Sequence, residues 1–132
     1  MLARMAPTIT ALYGALNAIL NIILANQVSN VRRKEGVTLG HGESKALLVA
    51  SRIHANNAEF VPLAIVMMLI AELMGGASPV LHVYGGLLLL ARLSHAVGLA
   101  RPSPNPFRFF GTGVTWIGIV GISGWVLYLR FV

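Results

Sequence analysis

The residues whose types and spacing could do chemistry are polar side chains set inside long apolar stretches. They are Arg52, Asn56, Glu59, Arg92, His95 and Arg108. The first three follow one another at i, i+4 and i+7, which places them in a narrow stripe along one face of a helix. Because a charge at membrane depth is costly, each such residue marks a functional-site hypothesis.

The chemistry that this set predicts is the binding of an anion. Arginine outnumbers the single glutamate, which leaves positive charge for a ligand that carries carboxylates or a thiolate. A nearby cation lowers the pKa of a thiol and so raises the reactive thiolate fraction. The chain has no cysteine, so that thiol must come from a substrate. The histidines lack the spacing of metal ligands, and we expect no zinc site.

The same residues also admit a purely structural interpretation. Glu59 could form a buried ion pair with Arg52 or Arg92 and hold helices together. The long side chains of Arg92 and Arg108 could instead extend along their helices toward water. The residues alone leave the choice between an anion site and an ion-pair network open.

Four apolar runs must position these side chains. They cover residues 6–27, 47–74, 79–100 and 108–130, and each approaches or exceeds the roughly 20 residues that a bilayer-spanning helix needs. The chain has 132 residues, 56% of them hydrophobic, and a mean hydropathy of +0.75, which is too apolar for a soluble domain. We predict an all-α integral membrane four-helix bundle with four transmembrane helices, in which residues 1–132 form a single domain.

Local signals set the expected helix ends. Pro62 cannot donate a hydrogen bond to the carbonyl of Ala58, which predicts a kink after Glu59. Helix 2 is longer than the hydrocarbon core, so its first turns should project into the cytoplasm. Helix 1 is predicted from Pro7 to Gln27, and helix 2 from Glu43–Ser44 to Leu73. Helix 3 is predicted to follow a turn that ends at Pro79 and to end near Leu99–Ala100, and helix 4 to have Asn105 as N-cap and Pro106 as first residue.

Polar residues of helices 1 and 2 outside the stripe have structural interpretations. Tyr13, Asn17 and Asn21 fall at i, i+4 and i+8 and form one polar line along helix 1. Such a line predicts hydrogen bonds between helices of a membrane bundle. Glu72 lies at the far end of helix 2 and off the stripe, so we expect it to be solvated at the membrane interface.

The distribution of charge predicts the orientation in the membrane. The net charge is +6, and Lys and Arg cluster in the first and third loops, as the positive-inside rule expects for cytoplasmic loops. Both termini would then lie outside, and the basic residues are not a nucleic-acid patch. Arg4 and the apolar stretch after it resemble a signal peptide. That stretch is too long, so we predict a retained span, with cleavage as the alternative.

Three segments together resemble a known membrane family. Residues 52–62, RIHANNAEFVP, resemble the helix-2 signature of the MAPEG family, the membrane-associated proteins in eicosanoid and glutathione metabolism. Residues 91–99, ARLSHAVGL, resemble its helix-3 signature, and residues 108–112, RFFGT, resemble the start of its helix 4. The resemblance covers essentially the full length. The short loops resemble those of bacterial members, which implies the bacterial inner membrane.

The resemblance implies an assembly and a ligand. A MAPEG protein is expected to be a homotrimer that binds glutathione as co-substrate between neighbouring subunits near the cytoplasmic side. By position, Arg52 would help to organise the site, while Asn56 and Glu59 would contact polar groups of glutathione. Arg92 would lie at the site, and His95 would bind or orient the peptide.

One further role follows from the resemblance, and three departures qualify it. Arg108 matches the helix-4 arginine proposed to stabilise the glutathione thiolate. Leu99 stands where eicosanoid-forming members carry a tyrosine, and Phe109 stands where the prostaglandin-forming branch carries a serine. Ala55 replaces a second helix-2 cation of some eukaryotic members. These departures argue against an eicosanoid synthase.

The predicted function is therefore that of a glutathione transferase or peroxidase. Thiolate would attack a lipophilic electrophile or hydroperoxide that enters from the lipid bilayer. The alternative is a non-catalytic membrane binding or scaffold protein of the same fold. A third hypothesis, a small multidrug transporter, needs an acidic residue within helix 1. The predicted helix 1 has none, so Glu59 would have to serve.

Overall fold

A computed structural model describes residues 6–132, which form four helices and their connections. The helices are α1 (Thr8–Glu35), α2 (Lys45–Leu73), α3 (Ser78–Leu99) and α4 (Pro106–Phe131). All four are long and apolar enough to cross a membrane. The shortest, α3, has 22 residues and is ~33 Å long, close to the ~30 Å hydrocarbon core. The predicted all-α four-helix bundle is confirmed over this part of the chain.

Capping residues explain where the helices begin and end. The Ser44 side chain accepts a hydrogen bond from the backbone N–H of Leu47 at the start of α2. Asn105 does the same for Arg108 at 3.0 Å, with Pro106 as the first residue of α4, as predicted. Gly36 ends α1 in the left-handed conformation, with a φ of 67°.

The predicted end of helix 1 is wrong. Gln27 closes the apolar run, yet α1 continues for two further turns to Glu35. Arg32, Arg33 and Lys34 lie in its last turn, where positive charge interacts favourably with the helix dipole. Hydropathy marks the part of a helix that lipid can cover, and this helix extends beyond it. Pro62 lies inside a continuous α2, and Arg4 lies outside the described residues.

The helices extend by unequal lengths beyond the level of Arg92. Hydrogen bonds from Arg92 to Asn57 and from Asn57 to Asn21 mark the same level on α2 and α1. From that level α3 continues to Leu99 for ~10 Å, at about 1.5 Å per residue. By the same measure α2 runs back to Lys45 for ~18 Å and α1 runs on for ~21 Å. The α1–α2 hairpin therefore extends beyond the ends of α3 and α4.

Two glycines let α3 and α4 approach closely at this end. A Cβ added at Gly111 would lie 2.6 Å from both the Cβ and the backbone N of His95. A Cβ added at Gly98 would overlap the backbone of Arg108. The absence of side chains at these two positions therefore fixes how the start of α4 sits against the end of α3.

The opposite end of the bundle is held by Glu72, which caps α1. Its Oε1 accepts from the backbone N–H of Ile9 at 2.9 Å, and its Oε2 from that of Thr10 at 2.7 Å. The first N–H groups of a helix have no partner within the helix, and its dipole favours a negative charge there. The expectation of a merely solvated Glu72 is therefore wrong. Close by on α1 and α3, the Tyr13 hydroxyl and His82 Nδ1 are 3.2 Å apart. We call these residues the Glu72 end.

Candidate functional site

The α2 stripe presents its charged residues on the outside of the four-helix bundle. Arg52 and Glu59 are exposed, and Asn56 between them is half-buried. Because α2 is helical throughout this region, the three side chains follow one another over ~10.5 Å along the axis. Glu59 lies near the middle of α2, a helix long and apolar enough to cross a membrane. Lipid would be a poor environment for an exposed carboxylate at that position.

Arg92 lies behind the stripe at the centre of a buried network. Its side chain is 2% exposed. Its Nη2 donates to Asn56 Oδ1 at 2.7 Å, its Nε to Asn57 Oδ1 at 3.1 Å, and its Nη1 to Thr115 Oγ1 at 3.3 Å. His95 Nδ1 lies 3.5 Å from Nη2, a long contact. These side chains are neutral acceptors, so hydrogen bonds rather than a carboxylate satisfy the buried cation.

The ion-pair interpretation is therefore wrong for Arg92. Asn57 and Glu59 are two residues apart in sequence, which separates them by ~200° around the helix. Since Asn57 points inward to Arg92, Glu59 points outward. The carboxylate is thereby left to face whatever covers the outside of α2.

The network reaches all four helices. Asn57 Nδ2 donates to Asn21 Oδ1 on α1 at 3.1 Å, and Thr115 Oγ1 donates to the carbonyl of Gly111 within α4 at 2.7 Å. The predicted interhelical bonding of the polar line on α1 is confirmed for Asn21. Asn17 instead donates to a carbonyl of its own helix. We call Arg92, His95, Asn56, Asn57, Thr115 and Asn21 the Arg92 network.

Asn57 and Thr115 are members of this network that the sequence analysis missed. Asn57 directly follows Asn56 of the stripe, and nothing in the sequence distinguishes its role from that of its neighbour. Thr115 is a polar residue four positions after Gly111 in a very apolar helix, which was a usable signal. Both side chains are 1% exposed, so their place in the fold is structural.

His95 and Arg108 lie where α3 and α4 come together. His95 is 4% exposed and packs on Gly111. Arg108 is exposed in the first turn of α4, and its backbone lies against Gly98. The structure thus brings Asn56, Arg92 and His95 into one cluster. It leaves Arg52, Glu59 and Arg108 on the surface of the bundle.

An apolar groove of about 620 Å³ runs beside this end of the bundle, between α3 and α4. The Ser94 hydroxyl in it donates to the carbonyl of Phe107 at 2.8 Å. The Arg101 guanidinium lies over the Phe107 ring, 4.6 Å from its centroid. An elongated apolar molecule could lie here beside a cation. The lining residues are Leu90, Leu93, Ser94, Val97, Pro106, Phe107 and Phe110.

A family model and two curated relatives match the chain. The model of the MAPEG family matches residues 10–128. The "Inner membrane protein YecN" of Escherichia coli strain K12 is 34% identical over 112 residues, which are 85% of each chain. The protein of the same name from Escherichia coli O6:H1 matches equally. No solved structure matches the chain.

Proposed function

Because the chain belongs to the MAPEG family, we propose that it binds glutathione in the membrane and activates its thiol. The thiolate attacks a lipophilic electrophile, which forms a sulfur–carbon bond and expels the leaving group. With a hydroperoxide as substrate, two glutathione molecules are oxidised to the disulfide while the hydroperoxide is reduced to an alcohol and water. The protein is then a glutathione transferase or peroxidase.

The observation that carries this proposal is the outward-facing stripe of Arg52, Asn56 and Glu59 on a membrane helix. Glutathione has two carboxylates and one ammonium group, so it complements a stripe with a cation at one end and a carboxylate at the other. A neighbouring subunit would keep lipid away from the ligand and from these charges. The stripe therefore supports a homotrimer with glutathione between its subunits.

Arg108 is the residue that would stabilise the thiolate. It is an exposed cation in the first turn of α4. The N-terminus of that helix adds positive potential of its own. A cation and a helix dipole aimed at the sulfur stabilise the charge of the nucleophile before it attacks. The apolar groove between α3 and α4 is a candidate place for the lipophilic substrate.

The cellular location is proposed from the relative and from the charge distribution. The Escherichia coli relative is named an inner membrane protein, and we assign this chain to the same membrane. The basic end of α1 supports a cytoplasmic position for the first and third loops by the positive-inside rule. Glutathione would then arrive from the cytoplasm and the lipophilic substrate from the bilayer.

The test is the ultraviolet absorbance of thiolate when glutathione is added to the detergent-purified protein. We expect a thiolate signal in the wild type and its loss in Arg108→Ala. Arg101→Ala is the matched control, because it removes a cation next to the same helix end and should keep the signal. An unchanged signal in Arg108→Ala would exclude the proposed role of this arginine.

A second candidate function is a non-catalytic membrane binding or scaffold protein of the same fold. The burial of Arg92 and His95 among protein partners favours it, because these two residues then serve the fold. A wild-type protein that gives no thiolate signal, yet purifies with a lipid ligand independently of glutathione, would establish this alternative.

A further inference from the structure

We infer that Arg92 is a positioning residue that fixes the orientation of the Asn56 amide. Opposite Asn56, the site therefore accepts only a ligand group that is a hydrogen-bond acceptor. The inference rests on the proposed glutathione binding. It adds a specificity rule and a residue that acts through another without touching the ligand.

The orientation of the Asn56 amide follows from the chemistry of arginine. A guanidinium has N–H donors and no acceptor, so only the amide oxygen can face it. Nη2 lies 2.7 Å from Asn56 Oδ1, a short bond of the charge-assisted kind. Rotating the amide by half a turn would set two donors against each other beside a buried cation. The Nδ2 group of Asn56 must therefore point away from Arg92.

The two neighbouring asparagines differ in what remains free. Asn57 is 1% exposed and uses both ends of its amide, one with Arg92 and one with Asn21. Asn56 is half-buried, and within residues 6–132 its Nδ2 donates to no protein group. One asparagine thus completes the interior of the bundle, and the other offers its N–H groups to the outside.

The stripe then has a fixed order of polarity. Arg52 supplies a cation, Asn56 follows ~6 Å along the axis with N–H donors, and Glu59 follows after another ~4.5 Å with a carboxylate. The complementary ligand presents an anion, then an acceptor, then a cation. The acceptor opposite Asn56 is a carboxylate or a peptide carbonyl, and a group that can only donate is rejected there.

The first experiment compares Asn56→Asp with Asn57→Asp, using reduced glutathione as the probe and calorimetric titration of the detergent-purified protein. Both variants set a carboxylate against Arg92. Only Asn56→Asp also replaces the outward donor by an acceptor, and we expect it to weaken binding by about 10- to 100-fold. Asn57→Asp should bind within about threefold of wild type, because Asn21 can rotate its amide to donate to the new carboxylate.

The second experiment isolates the part played by Arg92 and does not depend on either aspartate variant folding. Arg92→Lys keeps the charge but cannot hold both amides in place. Asn56→Ala should weaken glutathione binding about tenfold in the wild type and less than about threefold in the Arg92→Lys background. Thr115→Val, which removes a different bond of Arg92, should leave the full penalty of Asn56→Ala in place. A purely structural Arg92 would alter the unfolding temperature without altering this penalty.

The outcomes separate the inference from the function on which it rests. If the wild type binds glutathione and both aspartate variants weaken that binding equally, or neither does, the inference is overturned and the proposed function stands. If Asn56→Ala weakens glutathione binding by the same factor in the wild type and in the Arg92→Lys background, the inference alone is overturned. Failure of the wild type to bind glutathione overturns both.

Discussion

The Arg92 network and the Glu72 end differ in the charged groups that they leave on the outside of the bundle. At the Glu72 end, the carboxylate is matched by two backbone N–H groups and the Tyr13 hydroxyl by His82. Around Arg92, the buried groups are also matched, but charged residues remain on the outside of the same level. Burial of polar groups is thus common to both regions and does not by itself identify a site. The proposed site rests instead on the outward charges of Arg52 and Glu59.

The largest expected effect on stability comes from replacing Arg92, the centre of the Arg92 network. Arg92→Met leaves Asn56, Asn57 and Thr115 without their donor, and we expect the free energy of unfolding to fall by about 2–4 kcal/mol. Thermal unfolding in detergent measures the change. Arg52→Met, which removes an exposed arginine of the same level, is the control and should change stability by less than about 0.5 kcal/mol. Equal stability of the two variants would contradict the central place of Arg92.

The next effect tests the close approach of α3 and α4. Gly111→Ala places a methyl group against His95 and the carbonyl of Ala91, so we expect a loss of about 1–3 kcal/mol in the free energy of unfolding. Gly113→Ala meets nothing within 4 Å and should stabilise α4 by about 0.5–1 kcal/mol. Guanidinium or thermal melts would show opposite signs. Two losses of similar size would argue against this packing.

A third prediction contrasts the two carboxylates of α2, Glu72 and Glu59. Glu72→Gln weakens the cap of α1 and should lower stability by about 0.5–2 kcal/mol, with glutathione binding unchanged. Glu59→Gln should do the reverse, weakening glutathione binding about tenfold with stability unchanged. Titration calorimetry measures glutathione binding and thermal melts measure stability for both variants, and each variant should change only one of the two. Glutathione affinity that falls in Glu72→Gln and is unchanged in Glu59→Gln would contradict the roles assigned to the two carboxylates.

The smallest effect belongs to Tyr13. Tyr13→Phe removes one exposed hydrogen bond to His82 and should lower stability by less than about 1 kcal/mol. The aromatic ring itself matters more, because it packs against the bare backbone of Gly85. We therefore expect Gly85→Ala to be more destabilising than Tyr13→Phe in the same thermal melt. The opposite ranking would place the importance of Tyr13 in its hydroxyl.

The sequence predicts most of the helical layout because hydropathy and capping are local properties. The starts of α2 and α4 follow from Ser44 and Asn105 as expected. The end of α1 does not, because Arg32 to Lys34 continue a helix beyond the apolar segment. Periodicity finds the positions that share a face, and apolar runs find only the part of a helix that lipid covers.

The candidate site is less predictable because it depends on groups far apart in sequence. The same difficulty arises outside the site, where Glu72 caps a helix whose amides lie more than sixty residues earlier. Asn57 is satisfied by Arg92 and Asn21, and its spacing from Asn56 does not reveal which of the two amides faces inward. The outward roles proposed for Arg52, Glu59 and Arg108 stay predictions that the binding experiments decide.

The unequal helix ends make the approach to the site one-sided. From the level of Arg92, α4 runs back from Thr115 to Pro106 for ~14 Å at about 1.5 Å per residue. The α1–α2 hairpin therefore stands ~8 to ~11 Å taller than α3 and ~5 to ~8 Å taller than α4. Arg33 and Lys34 are exposed on that taller side. In the proposed function, glutathione diffusing in from the aqueous phase would meet these charges first and be steered toward the stripe. Capture of glutathione should therefore slow with rising ionic strength, while the uncharged second substrate arrives at a rate that salt does not change.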